Sequence, residues 1–238
     1  MNIILSTRNP SKAEQIRAIF QGSPISILTL ADAKIEGEAI ENVTTLKENA
    51  LKKALFAHER AQPKTWTMAD DTGLFITALR GEPGIRAARW AGENATTEEI
   101  MLHTLKLLKG AIDRSAIFET TVAMVSPDGH RHFFNGKVQG IILETPRTKP
   151  QPKMPYSPIF VPEGNTLTWA EMTIEYENTI SHRGKAFTQA RAFLEDSLSL
   201  RFLKFQTHKK FIKWTSNHAQ SKCPQQFFNW NSHYKNTT

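Results

Sequence analysis

The 238-residue chain has a single cysteine, Cys223. An intrachain disulfide and a cysteine-based zinc site are both excluded, and a reducing, cytoplasmic compartment is the simplest reading. No stretch reaches the 18 or more consecutive apolar residues of a membrane span. The opening MNIILSTRNP has no charged segment ahead of a long apolar run, so it reads as a first strand and not as a signal peptide. There is no internal repeat. Acidic residues are missing from Arg201 onward, where seven Lys and Arg stand alone. The other 23 basic residues match the 23 acidic ones, so the formal charge of +7 belongs to the tail and the body is neutral. Whole-chain charge is therefore no argument that the body binds nucleic acid.

At 39% hydrophobic and 22% charged, the composition is that of a globular protein large enough for a real core. Asn2–Ser6 is a short apolar strand, followed by a helix pattern carrying Ile16, Ile19 and Phe20. Residues 25–30 read as a strand. Thr45 and Glu48 form a capping box that predicts a helix from Leu46 to about Arg60. Trp66–Ala69 reads as a short strand ending at Asp70-Asp71-Thr72-Gly73, with extended chain resuming over 74–78. Thr96 or Thr97 caps a helix to about Lys109, with Glu98 and Glu99 in its first turn. Residues 116–126 and 131–144 are strands joined by the hairpin signal Pro127-Asp128-Gly129. Five prolines make 145–158 a loop. Ser181 caps a last helix to about Leu198. Interleaved strands and helices with one hairpin predict an α/β fold with a mixed sheet. Residues 1–199 form the folded domain, and 200–238 read as a basic, aromatic-rich, poorly ordered extension.

Three clusters carry chemistry. Ser6-Thr7-Arg8-Asn9-Pro10-Ser11-Lys12 joins a strand to a helix, where free N–H groups, hydroxyls and a lysine suit a polyphosphate. The glycines of a Walker A loop are missing, and an ordinary capped turn fits the same residues. Asp70 and Asp71 are adjacent carboxylates, costly unless cations or donors meet them, and such hard oxygen ligands suit Mg²⁺. The alternative is a polar turn. Ser181-His182-Arg183-Gly184-Lys185 opens the last helix with N–H groups and cations, or is a plain cap with solvated basic residues.

In order and spacing these clusters resemble the inosine-triphosphate pyrophosphatase family. The resemblance runs from Asn2 to about Leu198 and includes STRNPSKAEQI, TTLKENALKKA, ADDTGLFITALRGEPGIRAARWAG, MVSPDGH, FNGKVQGII, PIFVPEGNTLTWAEM and NTISHRGKA. It implies an elongated mixed sheet in two lobes with a central substrate cleft, a homodimer, and hydrolysis of non-standard purine nucleoside triphosphates (ITP, dITP, XTP) to the monophosphate and pyrophosphate. By motif match, Thr7, Arg8, Asn9, Pro10, Ser11 and Lys12 would bind the triphosphate. Asp71 would activate water and hold Mg²⁺, with Glu41 as acidic metal partner and Asp70 and Thr72 beside them. His182 and Arg183 match the pair that reads the base. Arginine only donates hydrogen bonds, so it suits a 6-oxo group and opposes the 6-amino group of adenine.

The sequence departs from the family in two places inside the matched region. The family's Gly-Phe-Gly-Tyr-Asp-Pro loop corresponds here to Lys153-Met154-Pro155-Tyr156-Ser157-Pro158. Met154 replaces the aromatic that would face the base, Pro155 removes an N–H donor, and Ser157 replaces a carboxylate. Glu177 stands where the family has a lysine, turning an attraction for phosphate into a repulsion. These changes leave open a degenerate member that binds nucleotides with little hydrolysis. The tail leaves open a nucleic-acid-binding protein acting through its Lys, Arg and aromatic residues, whose binding would be strongly salt-dependent.

Overall fold

A computed structural model describes residues 1–40 and 43–199. The expectations for Glu41 and for the 200–238 extension lie outside the described residues. Met1–Glu195 forms one compact unit.

The chain opens with β1 (Asn2–Leu5), α1 (Pro10–Ile19), β2 (Ser26–Thr29) and α2 (Leu46–Arg60), and continues through β3 (Trp66–Ile76), β4 (Pro83–Gly84) and α3 (Thr97–Leu107). The hairpin of β5 (Ser115–Val125) and β6 (Arg131–Ile142) follows, then β7 (Phe160–Pro162), α4 (Ile174–Ile180) and α5, 182–199. The sheet order is β2-β1-β3-β5-β6-β7, with β4 paired to β3. β1 runs parallel to β2 and β3, and the other pairings are antiparallel. This is the mixed sheet flanked by helices expected from the sequence.

Local chemistry explains most boundaries. Asn9 caps α1 by accepting from the Lys12 N–H at 3.3 Å, with Pro10 at the first helical position. Thr45 accepts from the Glu48 N–H at 3.2 Å and starts α2. Thr96 and Glu99 form a complete capping box on α3. Ser181 Oγ accepts from the Gly184 N–H at 3.0 Å and opens α5. The short helix α4, capped by Thr173, has no counterpart in the sequence reading because its seven residues are too few to show a helical period.

One boundary is corrected. Asp70-Asp71-Thr72-Gly73 is not a strand end or a turn. β3 runs unbroken through it, paired residue for residue with β5 from Thr67↔Val125 to Ile76↔Ala116. Ten continuous antiparallel pairings outweigh the turn preference of Asp-Thr-Gly. Gly73 survives mid-strand because a Cβ there would sit 2.9 Å from the Phe75 ring and 3.2 Å from the Gly84 carbonyl oxygen.

The middle of the sheet is polar and both ends are apolar. Asp71 pairs with Thr121 and Thr121 with Asn135, while Thr72 pairs with Thr120 and Thr120 with Gly136. On one side of this belt, Ala50 and Ala54 of α2 pack on Ala69, Ala123 and Val125. On the other, Leu74, Ile76, Phe118, Ile142, Phe160 and Trp169 form a larger cluster with Ile100 and Met101 of α3. Apolar burial stabilises the two ends independently, by about 25 cal/mol per Å². The polar belt between them is where a ligand site belongs.

Candidate active site

A cavity opens at the polar belt. It is lined by the polar residues Lys12, Lys53, Asp71 and Thr72, by Ala87, Ala88, Arg89, Phe118 and Trp169, by Gln151 and the 153–157 loop, and by Glu177, His182 and Arg183.

Strand geometry separates the two aspartates. Successive side chains on β3 point to opposite faces. Asp71 turns toward α2, where Oδ1 accepts from Lys53 Nζ at 2.8 Å and Oδ2 from Asn49 Nδ2 at 3.2 Å. Asn49 and Lys53 lie one helical turn apart, so they present adjacent donors. Asp70 turns the other way. Its Oδ2 accepts from Lys12 Nζ at 2.8 Å and from the Thr72 hydroxyl at 3.2 Å, and lies 3.6 Å from Arg183 Nε. Each carboxylate is met by its own set of cations and donors. Asp70 is only 2% exposed and does not line the cavity; its charge is answered by the protein's own cations. Burial pushes Asp70 up, but Lys12, Arg183 and Lys53 together outweigh that and hold it well below the usual carboxylate range. Lys12 is lowered by burial, with Asp70 opposing.

In the Thr7–Lys12 segment, Lys12 is the residue that reaches the cavity. Arg8 donates to the Gly37 carbonyl oxygen at 2.8 Å through Nη2. Thr7 Oγ1 accepts from the Asn9 N–H at 3.2 Å. Asn9 Nδ2 donates to the Lys153 carbonyl oxygen at 3.2 Å, and Ser11 Oγ to that of Pro152 at 3.0 Å. Pro10 is the first residue of α1. The altered 152–154 loop is thus tied directly to the loop that opens α1.

Of the altered loop's residues, Lys153, Met154, Pro155, Tyr156 and Ser157 line the cavity. Tyr156 is a core residue as much as a wall. Its hydroxyl donates to the Ala87 carbonyl oxygen at 2.8 Å and its ring meets Phe118 edge-on at 6.0 Å, while burial pushes the hydroxyl pKa up. Ser157 Oγ donates to the Met154 carbonyl oxygen at 2.9 Å.

At the start of α5 the His182 ring stacks on Phe118, centroids 4.7 Å apart and planes 12° from parallel. Burial, followed by the Arg183 charge, drives His182 well below its ordinary value, so its imidazole is neutral. Its Nδ1 is buried without a hydrogen-bond partner among the described residues. Arg183 Nη1 donates to Gln15 Oε1 at 2.5 Å. Glu177, from α4, accepts from Gln15 Nε2 at 2.7 Å; burial raises its pKa, with Arg183 and Gln15 opposing. Two glycines let this corner close. A Cβ on Gly136 would lie 2.0 Å from the His182 carbonyl oxygen, and one on Gly184 would lie 1.9 Å from that of Asn178.

Asn49, Lys53, Gln15, Phe118 and Trp169 are missing from the residues singled out in the sequence. A signal existed for two: Asn49 is a polar residue on the stripe Leu46, Ala50, Ala54, Ala57 that α2 buries, and Lys53 follows it by four. Phe118 reads as an ordinary strand residue, and its stacking partner is 64 positions away.

The sequence model of the Ham1 family matches residues 3–193. The dITP/XTP pyrophosphatase of Thermoanaerobacter pseudethanolicus is 40% identical over 196 residues, covering 82% of this chain and 96% of that protein. Among solved structures, the Staphylococcus aureus Ham1 protein superposes with a TM-score of 0.71 at 31% identity, over 83% of this chain and all of that one. A HAM1 protein from Coxiella burnetii gives 0.71 at 32%, over 82% and 99%. With the family model covering most of the chain and relatives this close along nearly their whole length, the chain belongs to the Ham1 family.

Proposed function

We propose that this chain hydrolyses non-standard purine nucleoside triphosphates, ITP, dITP and XTP, to the monophosphate and pyrophosphate, with Mg²⁺. One observation carries the reading: a single cavity combines Lys12, Lys53 and Asp71 with the wall of Phe118, His182 and Arg183. Cations and a carboxylate suit a polyphosphate and its attacking water, and an aromatic wall with a fixed guanidinium suits a base. Relatives named dITP/XTP pyrophosphatase support the substrate class.

The donor set fits Mg²⁺. Among the described residues no three His, Cys, Asp or Glu side chains cluster to hold a metal by themselves. Mg²⁺ is commonly held by one or two carboxylates together with substrate phosphates and waters. Asp71 would supply one, and Glu41 is the second candidate. When bound, the metal neutralises phosphate charge. Asp71 accepts the proton of the attacking water. Lys12 and Lys53 meet charge that develops on the departing pyrophosphate. Arg183 donates to the 6-oxo group, while Phe118 and Asp70 hold His182 and Arg183 in place. The phosphoanhydride bond between the α and β phosphates breaks as water joins the α phosphorus.

The test is pyrophosphate release from ITP, dITP, XTP, ATP and GTP, repeated in ¹⁸O-water. Release from ITP, dITP and XTP well above ATP, with the label in the monophosphate, is expected. Equal rates on ATP, or label in pyrophosphate, would overturn the reading. The homodimer belongs to the same reading, and light scattering at twice the chain mass is its check.

A further inference from the structure

Gln15 is a buried amide with both ends committed. Its Oε1 accepts from Arg183 Nη1 at 2.5 Å and its Nε2 donates to Glu177 Oε2 at 2.7 Å. Turned over, the amide would set its NH₂ against a guanidinium and its oxygen against a carboxylate, so its orientation is fixed. A carboxamide is a carbonyl beside an N–H. Arg183 and Glu177 therefore already hold one carbonyl/N–H edge inside the protein, and they lie on the same stretch of wall because one amide bridges them.

Each partner keeps a second group. Among the described residues no hydrogen bond is formed by Arg183 Nη2 or by Glu177 Oε1, neither atom is a buried orphan, and both residues line the cavity. Two other acceptors in the wall are occupied. Ser157 Oγ is engaged with the Met154 carbonyl oxygen and the Gln151 N–H, and the Asp71 oxygens face Lys53 and Asn49.

We propose that Glu177 is a specificity-determining residue, which with Arg183 reads the carbonyl/N–H edge of a 6-oxopurine, taking N1–H on Oε1 while Arg183 donates to O6. The inference rests on the proposed function and deepens it. Adenine presents the reverse edge, an amino donor at position 6 and a bare acceptor at N1, so it mismatches both groups at once. Hypoxanthine, xanthine and guanine share the matching edge, so Glu177 sorts 6-oxo from 6-amino bases and does not sort the 6-oxo bases among themselves. A donor on Oε1 also relieves a buried carboxylate that Gln15 serves with one neutral N–H.

The test pairs a ligand atom with a residue. N1-methylinosine triphosphate lacks the N1–H. The kcat/KM for pyrophosphate release is measured with ITP, N1-methylinosine triphosphate and ATP on wild type, Glu177→Ala and Glu177→Gln, with melting curves confirming that each variant folds. In Glu177→Gln the new amide must give its oxygen to Gln15, and so presents an NH₂ donor where the acceptor was. Wild type should prefer ITP over its N1-methyl form. That preference, and the ITP/ATP preference, should shrink by about 10–100-fold in both variants, the scale of one hydrogen bond to a charged group. Wild type that treats ITP and its N1-methyl form alike overturns the proposal whether or not the variants fold, and so do ratios unchanged in folded variants. Wild type that releases no pyrophosphate from ITP instead overturns the proposed function itself.

Discussion

Replacing Asp70 by asparagine should cost stability more than any other isosteric change near the cavity. The carboxylate is 2% exposed and sits 2.8 Å from Lys12 Nζ and 3.6 Å from Arg183 Nε. Asparagine keeps the shape and removes the charge, leaving a part-buried lysine and a buried arginine facing each other. Breaking a buried pair from one side costs about 3–5 kcal/mol, because the remaining charge is uncompensated. For a chain of this size that is a fall of roughly 6–20 °C in melting temperature. The pH dependence has a defined sign. Asp70 is depressed in the folded state, so its contribution is present above the unfolded carboxylate value and is lost as pH falls through the folded one. The gap between wild type and Asp70→Asn should be widest near neutral pH and close in acid. Urea or thermal unfolding from pH 3 to 8 measures the full gap near neutral pH and the start of its narrowing in acid. A loss under about 1 kcal/mol at neutral pH, the range of an exposed pair, would refute the argument that this pair is buried.

Two further outcomes follow from the same corner. Gly184→Ala places a Cβ 1.9 Å from the Asn178 carbonyl oxygen, so α4 and α5 must separate; a loss of about 1–3 kcal/mol in urea unfolding is expected, with Arg183 displaced and ITP turnover lowered. An unchanged unfolding midpoint would show that the two helices are not in close contact. Glu177 is raised in the folded state, so its contribution is present below the unfolded value and lost as pH rises through the folded one. Glu177→Gln does not titrate, and its melting temperature relative to wild type should therefore climb between pH 4.5 and 7.5; a difference that falls over that range would contradict the burial of this carboxyl.

What was legible in the sequence was mostly local. The caps Thr45 and Ser181, and Thr96 of the two candidates Thr96 and Thr97, act through neighbours three residues away, and the helices they predict start there. The β5–β6 hairpin follows from alternation around Pro127-Asp128-Gly129. The site was legible as motifs: Lys12, Asp71, His182 and Arg183 meet at one cavity although 171 positions separate the first from the last. The motifs could not say which way a side chain points. Asp70 and Asp71 read as a pair, yet strand alternation sends them to different partners. Glu177 read as a charge facing phosphate, yet Gln15 engages one of its oxygens from α1, 162 positions away. Such pairings depend on how helices pack across the sheet, which no local period encodes. Asn9 and Ser11 likewise read as phosphate ligands, while their side chains bond the 152–153 backbone. Residues 41–42 and 200–238 stand outside these comparisons.

The central claim is that Asp71 drives pyrophosphate release in this cavity. The most direct measurement is release from dITP by wild type and by Asp71→Asn, with and without Mg²⁺, each protein shown to be folded. Rapid, Mg²⁺-dependent release by wild type, reduced at least about 100-fold in Asp71→Asn, is the predicted result, since a positioned general base contributes about 10²–10⁴-fold. Equal release by the two folded proteins, or none from wild type, would contradict the account.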